Sequence, residues 1–107
     1  MRREDFKYVS QNPGIYLIID EVNNRYFVGR TAKLKKAIQT HFENCQSGRY
    51  SNVPLYDCMN ADTLDNFSFQ ILCEIWSYPD KQWLNIILDK QLSICKKAWN
   101  AEVIDLS

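Results

Sequence analysis

Along the chain the spacing of apolar residues switches from short dense runs to a helical repeat and back. Ile15-Tyr16-Leu17-Ile18-Ile19 and Tyr26-Phe27-Val28 are rich in β-branched and aromatic residues, with Asn23-Asn24 between them. Asparagine tolerates the left-handed backbone of tight turns, so the two runs predict a β-hairpin. The first run is apolar on both faces, Ile15, Leu17 and Ile19 on one and Tyr16 and Ile18 on the other. That pattern predicts a central strand covered from both sides. After Gly29 the period lengthens: Leu34, Ile38, Phe42 and Cys45 recur at helical spacing, with Ala37 and His41 beside them. Thr31 is the expected N-cap of this first helix, which runs to about Asn44 and stops at Gln46-Ser47-Gly48.

The flanks complete the order. Residues 1–11 read as a lead-in arm, and Gln11-Asn12-Pro13-Gly14 is turn chemistry that ends it. Pro54 suits the first turn of a short second helix through about Ala61, followed by a loop over residues 62–66. Phe67, Phe69, Ile71 and Cys73 alternate with Ser68, Gln70 and Leu72, which predicts a third strand. Pro79 opens the longest helix, to about residue 95, with a stripe of Trp83/Leu84, Ile87/Leu88, Gln91 and Ile94/Cys95. Residues 96–107, containing Trp99-Asn100, form a C-terminal tail, a short strand or an ordered end. The order ββααβα predicts an α+β fold in one domain over residues 1–107, a small mostly antiparallel sheet with helices packed on it.

Composition narrows the class without deciding it. The 107 residues are 46% hydrophobic and 24% charged, globular values for one small core. Thirteen basic and thirteen acidic residues cancel, so attraction to nucleic acid must come from a local patch. Arg25, Arg30, Lys33, Lys35 and Lys36 supply one, with no acidic residue between Val22 and Phe42. The plain alternative is a solvated helix face. Cys45, Cys58, Cys73 and Cys95 form no Cys-x-x-Cys, and with one histidine a zinc site is not expected. No apolar run reaches the roughly 20 residues of a membrane helix, and residues 1–10 lack a signal-peptide core, so the expected compartment is cytoplasmic. An exposed tryptophan among Trp76, Trp83 and Trp99 would mark a binding surface.

The hairpin also carries a motif. Gly14-Ile15-Tyr16, ten further residues, then Phe27-Val28-Gly29 resembles the two-part signature of the GIY-YIG nucleases. His41 stands twelve residues after Gly29, the spacing of that family's helix histidine. An SGRYSN segment lies just past Cys45, and residues 66–72 resemble the family's third strand. The resemblance covers residues 12–75 well. It implies a three-stranded sheet flanked by helices and hydrolysis of DNA phosphodiesters with a divalent metal. Tyrosines of both motifs, an arginine and a histidine of the first helix, a metal-binding glutamate of the long helix and a late asparagine would form the site.

Tyr16, His41 and Asn100 match that set, whereas Phe27, Ala37 and Gln91 stand where the second tyrosine, the arginine and the glutamate are expected. Each replacement removes the reactive atom and spares the fold. Lys33 and Arg30 are candidate stand-ins for the arginine, and Asp89 is the rival metal ligand, off the apolar stripe. An amide is a poor ligand for magnesium, and loss of even one electrostatic group costs roughly a hundred- to thousandfold in rate. The favoured reading is therefore a degenerate domain that needs no cofactor and binds nucleic acid or a protein. The alternatives are an endonuclease using Mg or Mn with substituted residues, and a protein-interaction or regulatory subunit without DNA binding. No membrane partner is expected.

Overall fold

The computed structural model describes residues 1–48, 54–57, 59–60, 62–99 and 102–106. Strands β1 (Gly14–Asp20) and β2 (Arg25–Thr31) form the predicted hairpin, with Tyr16 opposite Gly29 and Ile18 opposite Phe27. Asn24 takes the left-handed conformation at φ 53°. Asp20, 1% exposed, holds the turn by accepting from the Val22 and Asn23 amides and the Asn23 side chain. Arg25 lies 3.7 Å from its carboxylate, so the buried charge has both hydrogen bonds and a counterion. Helix α1 (Leu34–Ser47) ends at left-handed Gly48 as the sequence predicts. Strand β3 (Phe67–Glu74) pairs antiparallel with β1, and helix α2 (Lys81–Ala98) follows it. Asp80 caps α2 by accepting from the Trp83 amide at 2.9 Å.

The sheet differs from expectation. The described residues form four strands in the order β3-β1-β2-β4, because β4 (Val103–Asp105) adds parallel to β2. The expected three strands are present; the tail contributes the fourth, joined also by Leu106 N–H donating to the Val28 carbonyl at 2.7 Å. The expected second helix at Pro54 is a single 3-10 turn, Pro54–Asp57. The observed order is thus ββαβαβ. As the apolar pattern of β1 requires, the sheet is covered on both faces. Tyr16, Ile18 and Phe27 pack with Leu34, Ile38 and Phe42 of α1, while Ile15, Leu17 and Val28 pack with Leu84, Leu88 and Leu92 of α2. The stripe of α2 runs through Leu84, Leu88 and Leu92; Trp83 and Ile94, expected within it, are exposed.

Residues 1–11 are more than a lead-in. Arg3–Phe6 is a 3-10 turn whose Phe6 is buried 5.2 Å, centroid to centroid, from Phe42. Ser10, Gln11 and Asn12 also cap α1. The amides of Leu34, Lys35 and Lys36 donate to the Asn12 carbonyl, the Ser10 carbonyl and Gln11 Oε1. Lys33 is the N-cap residue, not Thr31, whose hydroxyl instead closes a local turn with the Lys33 backbone. These contacts supply the acceptors that the expected side-chain cap would have provided.

Candidate functional site

The site grows from one cross-strand pair. Tyr16 faces the α1 side of β1, and its ring lies over Gly29 so closely that a Cβ there would overlap its Cζ and hydroxyl. The ring is buried, and its hydroxyl meets His41 Nε2 at 2.9 Å. His41 Nδ1 meets the Tyr56 hydroxyl at 2.8 Å, and Asn44 Nδ2 donates to that same oxygen at 3.2 Å. The structure thus joins the two expected residues Tyr16 and His41 through a chain that continues to Tyr56 and Asn44.

Neither Tyr56 nor Asn44 is anticipated by the motif. Asn44 follows His41 by one helical turn, a spacing visible in the sequence. Tyr56 sits in the 3-10 turn after α1, and no local pattern aims it at the histidine.

Burial makes this chain electrically quiet. It pushes the Tyr16 phenol up to about 12, with Tyr56 and Asp105 adding smaller repulsive contributions. Burial likewise pulls His41 down to about 4. At neutral pH both groups are uncharged, so Tyr16 is not a ready phenolate base and His41 is a weak one. The sign for stability follows. An unfolded histidine takes up its proton near pH 6.5, whereas the folded one resists until about pH 4. His41 therefore favours folding fully above pH 6.5, and the contribution is lost as the pH falls to about 4. The loss is expected to reach up to about 3 kcal/mol. Urea midpoints for the native protein should fall more between pH 7 and 4 than those for His41→Asn, which removes the titrating ring.

Beside His41, α1 and the end of β2 border a cleft of about 390 Å³ lined by Lys33, Lys36, Ala37, Thr40 and His41, with Thr31 and Ala32 at the rim. Ala37 is in its wall, so the position expected for arginine faces the right space with a methyl group. Lys33 and Lys36 bring charge to the same cleft, and among the described residues no carboxylate lines it. Phe27 lies fully buried in the same layer as Tyr16, keeping the ring without a hydroxyl. Tyr26 packs 5.5 Å from Trp99 in the opposite layer and does not replace it.

The remaining candidates lie elsewhere. Arg30 is paired with Asp89 of α2. Gln91 Oε1 accepts from the Cys73 thiol at 3.8 Å, in the α2 layer, and Cys73 and Cys95 are free thiols. Buried Cys45 donates to the Met59 carbonyl. Arg25 serves the hairpin turn through Asp20. Lys35 is half-buried and does not line the cleft. Asn100 and Cys58 lie outside the described residues.

The family model for the GIY-YIG catalytic domain matches residues 12–82, spanning both motifs, α1 and β3. The chain belongs to the GIY-YIG family. The catalytic domain of the homing endonuclease I-TevI, a solved structure, shares 22% identity with it. The two align over 90% of this chain and 99% of that one, with a TM-score of 0.63. Likeness at that identity establishes the fold. Among curated proteins none matches the chain. No described helix is long and apolar enough to cross a membrane.

Among the described residues, the two candidate ligand positions, Gln91 and Asp89, do not fit the divalent metal that the GIY-YIG resemblance implies. The expected carboxylate position holds an amide already bonded to a thiol, and Asp89 is engaged by a guanidinium. Among the described residues no group of three or more metal-ligating side chains converges.

Proposed function

We propose that this protein is a GIY-YIG domain that has lost efficient phosphodiester hydrolysis and binds nucleic acid through the face of the former site. The observation that carries the proposal is the cleft beside His41. It combines two lysines with the alanine at the position expected for arginine, and among the described residues no carboxylate lines it. Such a cleft attracts phosphate, because lysine is a compact charge that neutralises backbone without reading sequence. It does not supply the planar guanidinium fork or the carboxylate-held metal that would stabilise a transition state. The uncharged Tyr16–His41 pair beside it offers weak proton transfer at neutral pH.

Gel-shift titrations over a range of salt concentrations, with a plasmid-nicking assay in magnesium or manganese, test this. Binding should weaken steeply with salt, and replacing both Lys33 and Lys36 with alanine should lower the slope of log K against log salt by about 2. Nicking should stay at background. Metal-dependent nicking abolished by His41→Ala would overturn the loss of catalysis. Salt-insensitive or absent binding would favour the second reading, a protein-interaction role. A specific feature supports that alternative: Trp83, Ile86 and Ile94 are exposed on α2.

A further inference from the structure

Tyr8 and Trp76 are 89% and 77% exposed, and both line a groove of about 230 Å³ that also includes Leu34, Ile71, Glu74 and Ser10. Trp76 follows β3, next to Ile75, whose N–H donates to the Pro13 carbonyl at 2.8 Å. Tyr8 has the Lys7 ammonium 5.6 Å from its ring centroid. Glu74 accepts from the Ser10 hydroxyl and from Asn12 Nδ2. Ser10 and Asn12 are the residues whose carbonyls hold the first amides of α1. The aromatic groove, lined by Leu34, and the cleft, lined by Lys33 and Lys36, therefore flank the first turn of α1.

We propose that this groove stacks an unpaired nucleobase of a strand whose phosphates occupy the Lys33–Lys36 cleft, making single-stranded or frayed nucleic acid the ligand. The inference rests on the nucleic-acid reading above and narrows it. Exposed rings next to a cationic track are how sequence-tolerant single-strand binders work, since every base has a π-face. The Glu74 carboxylate disfavours a phosphate inside the groove itself and leaves that space to a base. Lys7, Lys33, Lys35 and Lys36 around the same turn disfavour a cationic peptide, the other ligand that two rings and a carboxylate could hold.

Fluorescence anisotropy with a labelled oligodeoxythymidylate and a blunt duplex hairpin, across a range of salt, tests the proposal. Trp76→Ala should weaken single-strand binding about tenfold, with an unchanged salt slope and unchanged duplex affinity. Tyr8→Ala should act in the same direction. Both side chains are exposed, so the thermal midpoint should not move, and a shifted midpoint would point to a structural role and overturn the assignment. Equal losses on single strand and duplex, or no loss with either variant, would overturn the stacking site alone while the salt-sensitive binding persisted. Competition by oligolysine that Trp76→Ala abolishes would also overturn it, in favour of a cationic ligand. No salt-sensitive binding by the native protein would instead defeat the underlying nucleic-acid reading, and this proposal with it.

Discussion

Replacing Gly29 with alanine is expected to break the Tyr16–His41 contact and destabilise the fold by about 2–4 kcal/mol. The added methyl would overlap the end of the Tyr16 ring, in a layer where Tyr16, Phe27 and Leu34 are all buried. Overpacking of this kind costs about 1–3 kcal/mol, and the lost hydrogen bond adds roughly 0.5–1.5. The tyrosine can relieve the clash only by swinging its ring away from β2, which separates its hydroxyl from His41 Nε2. Two measurements follow. The urea midpoint should drop, and the His41 pKa read by NMR should rise from about 4 towards 6.5 as the ring loses its enclosure. A variant of native stability with an unshifted histidine would show that the ring does not depend on the glycine. The final glycine of the motif is thus explained by contact: it is the cross-strand partner that leaves room for the tyrosine.

That pairing shows what could be read in advance. The hairpin follows from two apolar runs and an asparagine turn, and the Tyr16–His41 pair from the spacing of two motifs and one helix. Each depends on neighbours within a few tens of residues. Tyr56 was not legible because its approach to His41 is set by the 3-10 turn after α1, where the apolar spacing resembles a helix. For β4 the sequence leaves a short strand and an ordered end both open, because three residues carry no period and the partner β2 lies more than seventy residues earlier. The N-cap departs from expectation for a related reason. Thr31 is the right residue type in the right place, yet the acceptors come from residues 10–12, brought there by the fold. The α2 stripe was offset because Trp83 and Ile94 are apolar without being inward. Gln91 is placed only by that stripe, whereas Ala37 is fixed by its helical turn before His41.

The chemistry points the same way as the geometry. An arginine beside Tyr16 would favour the phenolate and lower its pKa; here burial dominates and raises it. Hydrogen bonds join Tyr16, His41 and Tyr56, and the charges brought to the cleft beside them are those of Lys33 and Lys36. Lys33 and Lys36 border the same space as Ala37, which supports the proposed role of holding a phosphate backbone.

Phe6→Ala is expected to cost about 3–5 kcal/mol, although a lead-in arm would be expected to tolerate change at almost no cost. The ring is 1% exposed, meets Phe42 edge-on at 76° and lies 5.8 Å from Phe69. It therefore joins the outer end of α1 to β3 within the layer that contains Tyr16. Truncation would leave a ring-sized void, and aromatic pairing beyond simple burial would be lost as well. Phe42 is also the next inward residue after Ile38 along α1, so its loosening should reach His41, which immediately precedes it. Denaturant unfolding should show the lower midpoint, with an unchanged m-value if the native state stays compact. Phe6→Leu, which keeps most of the volume, should recover more than half of the loss. If Phe6→Ala instead unfolds at the native midpoint, residues 1–11 are an appendage after all, and the α1 layer is complete without them.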